Sequence, residues 1–208
     1  MNRAQIKICG VRSVEDARVC AELGADMIGL NFYRQSPRVI EPTVARQIVE
    51  ALSDSIETVG VFVDAPAKTI RQISKVTGIT SVQLHGETAP DLCSDLAREF
   101  HVIRAFSTNA QFRPETAALF PDCDILLDAH DPNLRGGTGQ ICDWPMARAT
   151  LPFTRFLILS GGLSAQNVAA AVAAVRPHAV DVCSGVESAP GVKDHRTLEK
   201  FIAAARAS

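Results

Sequence analysis

Short apolar runs alternate with longer amphipathic stretches along the whole chain. Eight of the runs are rich in β-branched residues and too short for helices. Several are continuously apolar, which is typical of strands buried on both faces of a parallel sheet. The predicted strands are Ile6–Cys9, Met27–Asn31, Thr58–Val63, Ser81–Leu84, Val102–Phe106, Ile125–Asp128, Phe156–Ser160 and Ala179–Cys183.

Amphipathic stretches with helix-start signals lie between and after these runs. The predicted helices are 13–23, 42–52, 66–75, 89–99, 113–120, 143–149, 165–175 and 195–206. Pro42 and Pro66 suit the first turns of their helices. Thr88, Ser164 and Asp194 are predicted N-caps, because each has a side-chain oxygen that can accept from a free N–H of the first turn.

The first predicted helix begins with a capping-box pattern. Ser13 can accept from the first turn, and Asp16 can reach back to the N–H of Ser13, although its side chain is short for that bond. Val14, Ala17 and Ala21 would form the buried stripe of this helix.

Strands that alternate with helices through short turns indicate parallel β/α units. The 208 residues give about 26 per unit, which fits a compact (β/α)8 barrel near the ~200-residue lower limit of that fold. An open doubly wound sheet is the competing topology. Its dinucleotide-binding form needs G-x-G-x-x-G after the first strand, where this chain reads Cys9-Gly10-Val11-Arg12. We therefore predict an α/β fold with a single (β/α)8 TIM-barrel domain over residues 1–208.

Composition narrows the class of protein. With 47% hydrophobic and 21% charged residues and a net charge of −2, the chain has an ordinary globular composition and no basic excess that would favour nucleic acid. No apolar run is long enough to span a membrane, and residues 1–20 contain no signal-peptide core, so we expect a cytoplasmic protein without membrane partners. The six cysteines show neither CxxC nor zinc spacing. We expect no metal site, and we expect most of the cysteines to be small buried hydrophobes.

Candidate acid–base residues come from the carboxyl ends of the predicted strands, where barrel active sites lie. Cys9 ends the first strand and Asp128 ends the sixth, so both can face one substrate. Their ordinary pKa values of about 8.5 and about 3.9 must move towards neutrality for a base and an acid respectively. Lys7 shares a strand face with Cys9 and would favour the thiolate. Leu126 shares a face with Asp128, and such an apolar setting would raise the pKa of that carboxyl group.

Glycine-rich loops after the last two strands predict a phosphate site. Gly161 and Gly162 follow the seventh strand, and Ser184 and Gly185 follow the eighth. Glycine lets backbone N–H groups approach an anion, and barrels often bind phosphate in these two loops, although plain turn glycines are the alternative. A third glycine-rich loop, 136–139, lacks the Lys-Ser/Thr ending of a Walker loop, and we interpret it as a mobile flap.

Two further polar residues end or follow strands. Arg38 comes after Ser36-Pro37, and its guanidinium could hold a carboxylate by two parallel hydrogen bonds or could simply be a solvated surface group. His85 could bind substrate or complete a polar layer of the barrel.

The motifs together resemble the phosphoribosylanthranilate isomerase family of tryptophan biosynthesis. The resemblance runs in chain order from about residue 6 to residue 194. It is carried by Lys7-Ile8-Cys9-Gly10, Gly29-Leu30-Asn31-Phe32, Ser36-Pro37-Arg38, Gly60-Val61-Phe62-Val63, Val82-Gln83-Leu84-His85-Gly86, Leu126-Leu127-Asp128-Ala129, Gly136-Gly137-Thr138-Gly139, Ser160-Gly161-Gly162-Leu163, Ser184-Gly185-Val186-Glu187 and Pro190-Gly191-Val192-Lys193-Asp194.

The resemblance implies an Amadori rearrangement of a sugar phosphate that needs no cofactor. Asp128 would protonate the furanose ring oxygen, and Cys9 would remove the C2′ proton. Arg38 would hold the anthranilate carboxylate, and the loops at 161–162 and 184–185 would bind the phosphate. Asp181, on the strand face of Cys183, is a candidate contact for a sugar hydroxyl. The assembly could be a monomer or a homodimer.

The sequence departs from the family pattern at Cys142, where phenylalanine is common, and at Cys183, where serine is common. Three rivals stay open. Indole-3-glycerol-phosphate synthase should show a catalytic lysine and glutamates at strand ends. The histidine-pathway isomerase should show paired aspartates and half-barrel repeats. A non-catalytic barrel that binds a phosphate ligand would keep the glycine loops but would not need both Cys9 and Asp128.

Overall fold

Eight parallel strands close into a barrel with helices around it. The computed structural model describes residues 3–52, 56–109, 111–129 and 142–208. The strands are β1 (Gln5–Cys9), β2 (Met27–Asn31), β3 (Glu57–Val63), β4 (Ser81–His85), β5 (His101–Ser107), β6 (Asp124–Asp128), β7 (Leu157–Leu159) and β8 (Ala179–Val182). Each pairs in parallel with the next, and β8 returns to β1 with Gln5 opposite Ala179 and Ile8 opposite Val182. The predicted fold class is confirmed, and the open sheet is excluded.

Seven α-helices accompany the strands in the described residues. They are α1 (Val14–Glu22), α2 (Pro42–Ala51), α3 (Ala67–Thr77), α4 (Pro90–Leu96), α5 (Trp144–Thr150), α6 (Val168–Val175) and α7 (His195–Arg206). The segment predicted as a helix at 113–120 is a 3₁₀ helix, Pro114–Leu119, and shorter 3₁₀ turns lie at Leu151–Phe153 and Ser184–Val186. Within the described ranges, no helix combines the length and apolar character needed to cross a membrane.

A small antiparallel hairpin that the sequence pattern did not predict follows β8. Its strands are β9 (Glu187–Ala189) and β10 (Val192–Lys193). The hairpin lies just before α7, and its Lys193 side chain points into the protein, where the ammonium donates to the carbonyl of Cys9. The hairpin therefore lies against the carboxyl end of β1.

The core has two parts, one inside the barrel and one between the strands and the helices. Inside, a small cluster fills the barrel; its members are Met27, Val59, Ile103, Ala105, Leu126, Ile158 and Ala179. The outer cluster is larger and packs the helices onto the strands. Burial on both faces explains why strands such as Met27–Asn31 read as continuous apolar runs.

The capping box and the buried stripe predicted for the first helix were only partly right. Ser13 caps α1 by accepting from the N–H of Asp16 at 3.0 Å, but the Asp16 carboxylate contacts His195 Nε2 at 2.8 Å and thereby ties α1 to α7. Ala17 is buried in α1 as predicted, whereas Cys20 takes the buried place expected for Ala21.

Two of the three predicted N-caps were wrong. Helix α4 begins at Pro90 after Ala89, without a side-chain cap from Thr88. Helix α6 begins at Val168 after Asn167 without a side-chain cap, and the Ser164 contact with Asn167 Oδ1 is made by the Ser164 N–H. Asp194 caps α7 as predicted, accepting from the N–H of Thr197 at 2.7 Å.

Two predictions about the organisation of the chain are not tested by the structure. The glycine-rich loop at 136–139 falls outside the described residues. That residues 1–208 form one domain stays a prediction.

Candidate active site

A cavity of about 510 Å³ opens at the carboxyl ends of the barrel strands. All nine site residues predicted from the sequence line it, namely Cys9, Arg38, His85, Asp128, Gly161, Gly162, Asp181, Ser184 and Gly185. The cavity thus brings together residues from the ends of β1, β4, β6 and β8 and from the loops after β2, β7 and β8. Their individual roles stay predictions.

A buried ion pair lies beneath the cavity. Lys7 is fully buried, and its Nζ lies 2.9 Å from Asp181 Oδ1, while Ser160 donates to Asp181 Oδ2 at 2.9 Å. Burial opposes a charge on Lys7, but the Asp181 carboxylate, together with Cys9 and Cys183, raises the pKa of Lys7. Both oxygens of Asp181 therefore have protein partners, and its predicted contact with a sugar hydroxyl stays a prediction.

Cys9 is a buried thiol whose ionisation is favoured by its surroundings. The neighbouring Cys183 thiol is the largest influence; together with Lys7 and Lys193 it overcomes the effect of burial and lowers the pKa of Cys9 to about 7. The sequence predicted this direction from Lys7 alone, which contributes less than Cys183. Four other cysteines are buried, as expected: Cys20, Cys93, Cys123 and Cys142.

Asp128 ends β6 with its half-buried carboxyl group on the cavity wall. Burial, reinforced by the negative charge of Asp181, raises the pKa of Asp128 to about 6. The N–H of Ala129 donates to Asp128 Oδ1 at 2.9 Å and opposes this rise only in part. The direction agrees with the prediction from Leu126, which is buried inside the barrel. The pKa of Cys9 is thus lowered and that of Asp128 raised, so both values lie close to neutral pH.

Arg38 is not a solvated surface group, and that alternative is wrong. Its residue is only 9% exposed, and its guanidinium binds the Glu187 carboxylate with both Nε (2.9 Å) and Nη2 (2.7 Å). Nη1 makes no hydrogen bond with the part of the chain that the structure describes. Glu187 was not predicted as a site residue, since 149 positions separate it from Arg38 and no local pattern connects them.

Lys193 is the second site residue that the sequence analysis missed. Its ammonium donates to the carbonyls of Cys9 (2.6 Å) and Cys183 (3.1 Å) and lies 3.2 Å from Glu187 Oε1. The side chain is fully buried. The motif around Lys193 contributed to the family resemblance, but only the folded hairpin shows where the side chain goes.

The glycines after β7 and β8 are required by close packing. Gly161 has a positive φ of 86°, and a Cβ there would collide with the backbone of Ala129. A Cβ at Gly185 would collide with the carbonyl of Leu163. These contacts explain the glycines whether or not an anion binds, so the phosphate site stays a prediction supported by the position of both loops on the cavity wall.

His85 ends β4 beside a second polar side chain. The amide nitrogen of Gln83 lies 2.6 Å from His85 Nε2, and both residues line the cavity. This contact matches the polar-layer alternative and leaves the ring beside the cavity, so the predicted substrate contact also stays open.

Fold and site together define a class: a (β/α)8 barrel with a thiol and a carboxyl group facing one cavity beside two glycine loops. Comparison with known proteins narrows this class. The family model for N-(5′-phosphoribosyl)anthranilate (PRA) isomerase matches residues 6–204. This chain therefore belongs to the N-(5′-phosphoribosyl)anthranilate isomerase family.

Individual relatives agree with the family model over almost the whole chain. The isomerase of Geobacter sp. strain M21 is 42% identical over 205 residues, which cover 97% of this chain and 98% of the relative. The crystal structure of the Thermotoga maritima isomerase superposes with a TM-score of 0.92 at 38% identity, covering 99% of this chain and all of the other. Another isomerase structure, in complex with reduced 1-(o-carboxyphenylamino)-1-deoxyribulose 5-phosphate, has a TM-score of 0.88, 38% identity and the same coverage.

Proposed function

We propose that this chain isomerises N-(5′-phosphoribosyl)anthranilate to 1-(o-carboxyphenylamino)-1-deoxyribulose 5-phosphate, a step of L-tryptophan biosynthesis. The reaction is an aldose–ketose isomerisation, an intramolecular oxidoreduction. The observation that carries the proposal is that Cys9 and Asp128 line one cavity with pKa values of about 7 and about 6. Such a pair suits a base and an acid that work near neutral pH.

Asp128 acts first, as general acid. Its raised pKa keeps part of the population protonated near neutrality, so the carboxyl group can give its proton to the furanose ring oxygen. The C1′–O bond then breaks, the nitrogen lone pair forms a C=N bond, and the open chain is a protonated Schiff base.

Cys9 acts second, as general base. With a pKa of about 7, a large fraction of the thiol is ionised at neutral pH and can remove the C2′ proton. The electrons of the C–H bond move towards the Schiff-base nitrogen and give an enolamine, which tautomerises to the ketone. Because both steps are proton transfers, the reaction requires neither a metal nor a redox cofactor. Each transfer contributes about 10²–10⁴-fold to the rate.

The remaining cavity residues bind the substrate. Arg38 presents Nη1 for the anthranilate carboxylate while Glu187 holds its other edge. The loops at Gly161–Gly162 and Ser184–Gly185 bind the phosphate, and His85 and Asp181 contact the sugar. The ligand of the related complex has the same three parts, an aryl carboxylate, an open sugar chain and a phosphate.

The cellular setting belongs to the same proposal. The protein acts in the cytoplasm as one barrel domain over residues 1–208, with no nucleic-acid or membrane partner. It is a monomer or a homodimer; one related structure concerns monomers of a dimeric T. maritima isomerase.

Fluorescence tests the proposal, because anthranilate ribosyl phosphates fluoresce and lose that signal on rearrangement. The wild type should consume the substrate catalytically. Cys9→Ala and Asp128→Ala should each lower kcat by about 10²-fold or more while the product analogue still binds. Cys20→Ala, which removes a buried thiol of α1 outside the cavity, and Asp91→Ala on the exposed side of α4 are the matched controls.

The outcomes separate the rivals. Binding without turnover by the wild type would favour the non-catalytic barrel. Turnover like that of the wild type in either cavity variant would exclude the role given to that residue.

A further inference from the structure

Lys193 is a buried cation that the proposed reaction does not use. It lies on β10, its side chain is fully buried, and its ammonium contacts two carbonyls and one carboxylate. A buried ammonium is costly unless its donors are satisfied and its charge is paired. Here the carbonyls of Cys9 and Cys183 and the carboxylate of Glu187 accept from it. The group is therefore specifically accommodated.

The two carbonyls lie where β1 and β8 pair and close the barrel. Strands β1 and β8 stay in register up to Ile8 opposite Val182. The next residues, Cys9 and Cys183, both turn their carbonyls to the Lys193 ammonium. The Lys193 side chain thus links the ends of β1 and β8 by hydrogen bonds where the regular strand pairing stops.

The carboxylate extends this link to Arg38. Glu187, with a side chain only 4% exposed, lies between the Lys193 ammonium and the Arg38 guanidinium and contacts both. The order of charges is positive, negative, positive, so the row carries one excess positive charge. Both Arg38 and Lys193 interact electrostatically with Cys9.

We propose that Lys193 is a positioning residue of the isomerase reaction, holding the strand end that carries Cys9 and linking it through Glu187 to Arg38. This inference rests on the proposed function. A displacement of a reacting group by about 1 Å can cost about 10²-fold in rate, so a tether at the base matters even though it touches no substrate.

Several charged or titratable groups face Cys9, and Lys193 acts alongside them. Lys7 lies on the same strand, Cys183 and Asp181 come from β8, and Arg38 comes from the loop after β2. Removing Lys193 takes away one positive charge and leaves Lys7 and Arg38. The thiolate should therefore become harder to form without being lost.

Two substitutions separate the tether from the charge. Lys193→Met removes both, whereas Lys193→Gln keeps N–H donors for the carbonyls and removes the charge. We expect Lys193→Met to lower kcat by about 10- to 100-fold, with a smaller change in KM. Lys193→Gln should recover most of kcat at alkaline pH. Lys200→Met, on the exposed face of α7, is the matched control and should behave as wild type.

A second measurement needs no substrate. The rate of iodoacetamide alkylation at Cys9, followed against pH by mass spectrometry of the Cys9 peptide, reports the thiolate directly. The midpoint should move to higher pH in both Lys193→Met and Lys193→Gln and stay unchanged in Lys200→Met. A purely structural lysine would not move this midpoint in a folded variant.

The results distinguish this inference from the proposed function. Unchanged kcat in folded Lys193→Met together with an unchanged alkylation midpoint in Lys193→Gln would overturn the inference, even where the wild type turns over its substrate. A wild type without turnover would overturn the proposed function, and the alkylation profile would still decide the role of Lys193. If Lys193→Met does not fold, Lys193→Gln tests the charge through its alkylation midpoint, and an unchanged midpoint would overturn the inference.

Discussion

Strand β6 has an aspartate at each end, and the two lie in opposite surroundings. Asp124 begins the strand; His101 Nε2 lies 2.7 Å from one of its oxygens and Arg155 Nε 3.2 Å from the other. Asp128 ends the strand four residues later, where burial raises its pKa to about 6. The same residue type is thus ion-paired at the amino end of the barrel and has a raised pKa at the cavity.

The amino end extends this pattern to an ion-pair network built from the first residues of four strands. Glu57, Ser81, His101 and Asp124 begin β3, β4, β5 and β6. Ser81 Oγ and His101 Nδ1 both lie 2.5 Å from Glu57 Oε1. The hydrogen bonds to Asp124 and Glu57 raise the pKa of His101 to about 10. Every charge here has a partner of opposite sign, which is an arrangement that stabilises the fold.

At the cavity, by contrast, neither Cys9 nor Asp128 forms an ion pair with the residues that the structure describes. Their pKa values lie near neutrality because burial and unequal neighbours hold each group between its two protonation states. Perturbed titrations of this kind cluster at functional sites. The comparison teaches that charged groups in one barrel can serve stability at one end and chemistry at the other.

The sharpest test exchanges each aspartate of β6 for asparagine. Asp128→Asn should lower kcat by about 10²–10⁴-fold, because asparagine cannot donate the proton. It should also raise the free energy of unfolding at pH 7, by up to about 3 kcal/mol, because the cost of ionising a buried carboxyl group is removed. Asp124→Asn should do the reverse and keep kcat within about twofold while lowering stability. Turnover assays and urea unfolding measure both quantities.

The contribution of Asp128 to the free energy of unfolding depends on pH, and its sign follows from the raised pKa. The folded pKa of Asp128, about 6, lies above its ordinary 3.8, so the wild type loses stability as the pH rises from about 4 to 6. Asp128→Asn has no such loss, and the gap between the two proteins should open across that window and stay constant above it. A gap independent of pH, or an Asp124→Asn variant that loses turnover, would break the contrast between the two ends.

The fold could be predicted from the sequence because strands that are buried on both faces appear there as continuous apolar runs. The apolar run Met27–Asn31 is also the observed β2, and other strands differ from their predictions by a few residues at most. Candidate site residues followed as well, since parallel strands bring their carboxyl ends to one face. Cys9 and Asp128, 119 positions apart, line the same cavity for this reason.

What the sequence did not show are contacts between distant side chains. Arg38 pairs with Glu187, and Lys193 donates to Cys9 across 184 positions. No periodicity encodes these pairs, because they depend on how a short hairpin folds back over the strand ends. One local signal was also wrong: Ser164 has the right chemistry for a cap, but helix α6 begins only at Val168, after Asn167.

At the amino end, His101→Gln should lower stability by about 1 kcal/mol, a modest loss because the side chain is 35% exposed and water screens the ion pairs. The folded pKa of His101, about 10, lies above the ordinary 6.5. Its stabilisation is therefore complete below about pH 6.5 and is lost as the pH rises towards 10. The difference in unfolding free energy between wild type and variant should shrink across that range.

Turnover provides the check on this second prediction. His101→Gln should keep kcat within about twofold, because the network lies at the end of the barrel away from the cavity. Glu57→Gln, which leaves His101 paired with Asp124, should remove only part of the pH-dependent difference. If His101→Gln or Glu57→Gln lowered kcat as much as Asp128→Asn does, the two ends of the barrel would not be independent.

The last expected effect, on kcat/KM alone, concerns Cys183, where the chain departs from the common serine of its family. The Cys183 thiol, which donates to Glu187 Oε1 at 3.8 Å, is the largest factor lowering the pKa of Cys9. Cys183→Ala removes the donor, so kcat/KM at pH 6 should fall by about three- to tenfold and recover by pH 9, as expected for a shift of up to about one pKa unit. Cys183→Ser keeps an O–H donor and should follow the wild-type pH profile. If alanine and serine gave the same profile as wild type, the thiol would pack against Cys9 without tuning it, and the low pKa would have to come from Lys7 and Lys193 alone.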